Sequence, residues 1–152
     1  MDNERMLKLN PDANIIPPEE LDILRIKMGK SKRKEADWDV IKDILNRHDL
    51  IVMEPEKKDR RYRVYDHVMS VDGVLVAFTN VEDCMKHVRW LNDEDGVPGR
   101  RFVVGTMPFE QVISVAEHYR RDLLIDAVMD SRSRCLMYLP ATHEIKAVSM
   151  LR

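Results

Sequence analysis

The stretch "VLVAFTNVEDCMKHVRW", residues 74–90, changes its apolar period in the middle. Up to Phe78 the hydrophobic residues run on without a break. After it, Val81, Cys84, Met85, Val88 and Leu91 (or Trp90) recur with the period of about 3.6 residues of a helix. A strand therefore passes into an amphipathic helix within a few residues. Upstream, Tyr62, Val64, Asp66, Val68 and Ser70 alternate with Arg63, Tyr65, His67, Met69 and Val71, and Asp72-Gly73 then supplies the signal of a two-residue hairpin. Two antiparallel strands, the second feeding a helix, limit the chain to architectures in which helices cover a sheet.

The flanking segments fit that frame. "PPEELDILRIKM" places proline and two glutamates where a helix start favours them, ahead of Leu21, Leu24 and Met28 at helical spacing. "GKSKRKE" breaks it, and "DWDVIKDILNRH" resumes with Trp38, Ile41, Ile44 and Leu45 on one face and Asp37 as the expected cap. "LIVME" reads as a strand stopped by Pro55, and "RRFVVGTM" as another. Pro108 opens a helix with Phe109, Val112, Val115, Ala116 and Tyr119 as its apolar positions. "DLLIDAVM" is read as a strand, turned back by "DSRSR" into "CLMYL", and "PATHEIKAVSMLR" as a last strand or short helix. The expected fold is α/β or α+β, a mixed sheet of about five strands with an antiparallel hairpin, covered by helices. Residues 1–17, with Pro11 and Pro17, are read as an extended arm and the one candidate for disorder; residues 18–152 are read as a single domain.

Size and charge agree with one core. A chain of 152 residues buries roughly 68–70% of its unfolded surface. With 25 Lys plus Arg against 27 Asp plus Glu, the formal charge of −2 gives no global field towards nucleic acid or an anionic membrane. "MDNERMLKLN" has no apolar run of a secretory signal, and no stretch approaches the roughly 20 apolar residues of a membrane span, so the cytoplasm is the expected compartment. Cys84 and Cys135 are read as buried small hydrophobes, and no zinc spacing occurs.

Several local strings resemble the N-terminal domain family of the bacterial enhanced serine sensitivity protein, SseB. They are the strand "LIVMEP", the hairpin end "DGVLVAFTN", the tryptophan-bearing helix "VEDCMKHVRW", the strand and proline-started helix "VVGTMPFEQVISVAEH", and the closing "DLLID". Together they span about residues 45–130, and "AFTN" before an acidic helix start is similar to the family's Phe-Thr-Ser corner. Where the family commonly carries Asn-Pro, this chain has Asp126-Ala127. The resemblance implies an α/β domain of a bacterial cytoplasm and brings no cofactor and no catalytic residues with it.

The candidate sites are few. Thr79 or Asn80 is the N-cap of the helix, with Glu82 or Asp83 three positions later able to reach back. If a ligand binds, the hairpin end around Arg63, Tyr65, Thr79 and Asn80 is the first place expected, because strand-to-helix corners commonly edge clefts. A nucleic-acid alternative would use Lys30, Lys32, Arg33 and Lys34 with Lys57, Lys58, Arg60 and Arg61. An enzyme alternative would pair Cys84 as thiolate with His87 as base, beside Asp83. Asp122, Asp126 and Asp130 lack the glycine and alternating ligands of a calcium loop, the five histidines are scattered, and no metal site is expected. The ten methionines suit either core filling or an adaptable contact surface. The first expectation is a module without catalysis that binds a protein partner, a second copy of itself through a strand edge or helix face, or a small ligand.

Overall fold

The computed structural model describes residues 7–56, 70–71, 74–93, 101–126 and 134–149. The first helix, α1 (Pro18–Gly29), begins with Pro18 in its first turn and Glu19 and Glu20 against the positive end of its dipole. Leu24 and Met28 are buried, while Ile23 and Ile26 point outward and are 45% and 65% exposed. Past Gly29 the chain turns, and Arg33 Nη1 donates to the Met28 carbonyl at 2.9 Å, satisfying one orphan acceptor of the helix end.

Helix α2 (Glu35–Asn46) starts earlier than the sequence suggests. Lys34 occupies the N-cap and Asp37 the third helical position. From there the Asp37 carboxylate accepts the Lys34 backbone N–H at 2.9 Å, the acidic half of a capping box. Its Oδ1 takes the ammonium groups of Lys27 at 2.9 Å and Lys30 at 3.0 Å. Asp37 is thus not the cap but the residue that reaches back to it, because the helix already begins at Glu35. The Lys27 hydrogen bond, followed by the Lys34 N–H and Lys30, holds its carboxyl well below the usual carboxylate range.

Strand β1 (Asp49–Pro55) pairs antiparallel with β4 (Phe102–Pro108), in register from Asp49↔Pro108 to Pro55↔Phe102. Pro55 does not stop the strand ahead of itself; it is the last paired residue, a strand end that tolerates a missing donor. Strand β2 (Ser70–Val71) pairs antiparallel with β3 (Val74–Ala77) across the two residues of the expected hairpin. The rest of the alternating segment before Ser70 lies outside the described residues. Helix α3 (Val81–Asp93) follows β3, and α4 (Phe109–Tyr119) follows β4 at Pro108. Strand β3 pairs parallel with β5 (Leu123–Ile125), which pairs antiparallel with β6 (Arg134–Leu139), which pairs antiparallel with β7 (Glu144–Ser149). The order is β2-β3-β5-β6-β7, a mixed sheet of five strands, with β1-β4 as a second pair. Phe78 exchanges both backbone bonds with Ile51 at 2.8 Å and so joins the two sheets at the end of β3. The fold is α+β, and the last segment is a strand, not a helix. Strand β5 is shorter than "DLLIDAVM" suggests, because Asp126 leaves the extended region with a φ of 64°.

Two cores lie on opposite faces of β1. Leu50 and Val52 face a cluster built on Leu24, Ile41, Leu45, Leu75, Val112 and Leu123; Ile51 and Met53 face one built on Phe78, Cys84, Val88, Phe102 and Val104. Helix α3 packs on β1 and β4 at the second, and α4 packs on β1, β4 and α2 at the first. Met28, Met53, Met85 and Met107 are core fillers. Tyr119, expected on the buried face of α4, is 38% exposed with the His118 ring edge-on at 4.7 Å. The arm, offered by its composition as a candidate for disorder, is docked over residues 7–17. Lys8 N–H donates to Val104 O at 2.8 Å, Asn14 Nδ2 donates to Arg47 O at 2.6 Å, and Ile16 is buried.

Asp37→Asn is expected to lower the melting temperature at neutral pH by weakening the α1–α2 junction. A depressed carboxylate pKa stabilises above the ordinary value and loses that contribution as pH falls below about 4. Calorimetry across that range should show the gap between variant and wild type closing in acid; a gap independent of pH would remove the role assigned to this ion pair.

Candidate functional site

The corner singled out by the sequence is fully engaged within the fold. Asn80 Oδ1 accepts the Asp83 N–H at 2.9 Å, and Asn80 Nδ2 donates to Asp83 Oδ2 at 2.9 Å, so Asn80 with Asp83 starts α3. Thr79 is 0% exposed and does not use Glu82. Its N–H donates to Asp126 Oδ1 at 2.8 Å and its hydroxyl to Asp126 Oδ2 at 2.6 Å, while the Asp126 N–H donates to Ala77 O at 3.0 Å. The polar corner locks the start of α3 to the end of β5. Burial pushes the Asp126 carboxyl upward, against the pull of the two Thr79 donors. Arg63 and Tyr65, expected beside this corner, lie outside the described residues.

The basic cluster of residues 30–34 is partly consumed as well. Lys30 is on Asp37, and the Arg33 guanidinium sits 5.4 Å from the Trp38 ring centroid. Lys32 and Lys34 are exposed, and Lys57, Lys58, Arg60 and Arg61 lie outside the described residues. Cys84 is 0% exposed in the second core, where burial raises its thiol far above the ordinary value. Its imagined partner His87 instead packs its ring on Phe78 with centroids 5.0 Å apart. Cys135 is a second buried free thiol, pushed up to about 11 by burial. Among the described residues no group of three or more His, Cys, Asp or Glu is placed to hold a metal ion, and Asp130 lies outside them.

A different place gathers unspent chemistry. Helix α4 buries Phe109, Val112, Val115 and Ala116, which leaves Glu110, Ile113 and Glu117, at helical spacing, along its flank. Helix α2 brings Lys42 and Asn46, one turn apart, to the opposite wall. Tyr138 from β6, Ile145 from β7 and His143 from the connecting turn close the end. Together these elements line an open concavity of about 370 Å³ with Phe109, Ile113 and Ile145 as its apolar surface.

One end of the concavity is organised by a carboxylate. Glu117 Oε1 accepts the Tyr138 hydroxyl and lies 3.0 Å from His143 Nδ1, which is 3.2 Å from the Tyr138 oxygen. A carboxylate only accepts, so His143 carries a proton on Nδ1, and in the neutral ring Nε2 is the acceptor. Tyr138 first and His143 second draw the Glu117 carboxyl below its ordinary range. Burial, reinforced by Glu117, pushes the Tyr138 hydroxyl up to about 12, so it remains a neutral donor bound to Glu117. A φ of 57° at His143 sets the turn that aims this ring. The result is an imidazole bonded to Glu117 at one end, a Lys42 ammonium, an Asn46 amide and a Glu110 carboxylate on the walls, and apolar surface between them. These groups offer donors, acceptors and both signs of charge around an apolar surface.

Sequence reasoning missed these residues for a physical reason. They come from two helices and a hairpin separated by up to about a hundred positions, and no spacing links Lys42 to His143. Comparison with protein-family models, with curated proteins and with solved structures finds no match. No helix among the described residues is long and apolar enough to cross a membrane.

Asp126 offers a direct test of the corner. Asp126→Ala should cost about 2 kcal/mol, the loss of two hydrogen bonds to a buried carboxylate. Asp126→Asn keeps an acceptor for the Thr79 N–H, suits the positive φ and removes a buried charge, and should be at least as stable as wild type. Urea unfolding of both variants measures this, and equal losses would show that the charge itself is needed.

Proposed function

We propose that this chain is a recognition module without a reaction of its own, of the SseB N-terminal type and at work in a bacterial cytoplasm. Its site is the concavity between α2, α4 and the β6–β7 turn, and its ligand is a small molecule or the terminus of a partner chain. The observation that carries this reading is the combination of an apolar surface with opposed charged groups in a space of about 370 Å³, within the size range of ligand sites, beside a Glu117–Tyr138–His143 cluster joined by hydrogen bonds. Pre-organised polar groups lower the ordering cost of binding, and Tyr138, spent on Glu117, contributes rigidity instead of reactivity. The resemblance over residues 45–130 supports the compartment and the absence of a catalytic set. The SseB-like segment supplies β1, β4 and α4, hence one wall of the concavity, while α2 and the β6–β7 turn complete it from outside that segment. Nucleic acid is the weaker reading, since Lys30 and Arg33 are already engaged by Asp37, Met28 and Trp38.

A thermal-shift screen of small metabolites and short peptides, run in parallel on wild type and Ile113→Trp, tests the site. Ile113 is half-buried at the concavity and packs on the rim of the first core, so an indole there fills the space, and the melting temperature of the unliganded variant checks that the core is kept. Compounds that raise the melting temperature of wild type should leave the Trp variant unchanged. Hits that stabilise both equally would place recognition elsewhere.

A further inference from the structure

Strand β7 ends the five-stranded sheet. Its inner edge is paired with β6 from Glu144 to Ser149, and no backbone hydrogen bond joins its outer edge to a described residue. Such an edge presents a row of N–H and C=O groups with which another strand can pair. Alternation sends Ile145 and Ala147 to the first core and leaves Glu144 and Lys146 on the other face, with side chains 56% and 57% exposed. Among the described residues each of these two has the other as its ion-pair partner, at 3.6 Å.

We propose that the outer edge of β7 pairs antiparallel with the same edge of a second copy of this chain, about a two-fold axis at Ile145. Two identical strands paired in this way are related by a two-fold axis, so one residue lies opposite itself. The charges of β7 select which. An axis at Glu144 sets carboxylate against carboxylate, and one at Lys146 sets ammonium against ammonium, arrangements that destabilise a strand pair. An axis at Ala147 sets Lys146 against Val148 and gains no counter-charge. An axis at Ile145 sets each Glu144 against the partner's Lys146.

Directly opposed Cβ atoms lie about 4.5–5.5 Å apart, closer than the roughly 6.6 Å between alternate residues of one strand. Each charge therefore gains a nearer counter-ion than it has in the single chain, and the four form a ring of alternating sign. A lysine on a strand edge ordinarily keeps other strands away. Here Glu144, two residues before Lys146 on the same face, admits one register of one partner. The axis runs normal to the sheet, so the two Ile145 side chains meet on the core face and continue the first core across the interface. The paired strand segment is short, Glu144 to Lys146, so the strength of the contact depends on the two ion pairs.

Sedimentation equilibrium of the full chain at low ionic strength, from micromolar to millimolar concentration, tests this. Wild type should pass from the 17.9 kDa monomer to a species of twice that mass, and added salt should shift the transition to higher concentration. Glu144→Lys and Lys146→Glu each turn two attractive pairs into repulsive ones and should weaken self-association by about tenfold or more. Mixed one to one, the two variants should dimerise with each other, because each then meets the opposite sign across the axis; the double exchange in one chain should restore the wild-type behaviour. Both positions are exposed, so the variants keep the fold, and their melting temperatures check this. A wild type that stays monomeric, a dimer that neither reversal weakens, or single variants that do not pair with each other would overturn the proposal.

Discussion

Burial of β1 on both faces is the constraint on which the other elements depend. A strand that hides both sides needs a complete layer on each, and alternation sends Leu50 and Val52 to one core and Ile51 and Met53 to the other. One edge of β1 is covered by β4, the Phe78 bridge ties it to β3, and Asn14 and Ile15 reach it at Asp49. The helices then have little choice. Helix α3 closes the second core, and α2 with α4 closes the first, with the concavity lined by residues of α2, α4 and the β6–β7 hairpin.

Three carboxylates fasten the joints between these layers, and their protonation behaviour differs with the donors they meet. Asp37 meets two ammonium groups and a backbone N–H, and Glu117 meets a hydroxyl and an imidazole near solvent; both are held below the ordinary range. Asp126 bonds to the neutral donors of Thr79, with Asp83 and Arg25 acting on it in opposite senses, and desolvation wins, so it is raised. The linkage signs follow. The first two stabilise above the ordinary carboxylate pKa and lose that contribution in acid, whereas Asp126 in its charged form subtracts stability as pH rises through its elevated value.

Separating the anchor from the contact surface is what gives the candidate site its character. Tyr138 and Glu117 satisfy one another and orient His143, while Lys42, Asn46 and Glu110 come from helix faces that the core does not use. Rigid secondary structure supplies the positions, and exposed side chains supply the chemistry.

The sequence by itself determined the elements whose signals are local. The antiparallel pairing of β2 with β3, the change of period at Phe78, the proline start of α4 and the stripe of Cys84, Met85, Val88 and Leu91 are consequences of short-range sterics and amphipathicity, and they stand in the structure as read. A cap at Thr79 or Asn80 was legible for the same reason, and the structure uses Asn80. Tertiary structure decided what depends on distant partners. It set Asp37 at the third helical position, where Lys27 of α1 and Lys30 just past its end meet the carboxylate, bent the chain at Asp126 beside Thr79, which lies 47 residues upstream, and gave "EIKAVS" a strand because β6 offers it an edge. It also assembled Lys42, Glu110, Glu117, Tyr138 and His143, whose meeting no spacing encodes, because charged and aromatic side chains are positioned by the packing of the elements that carry them.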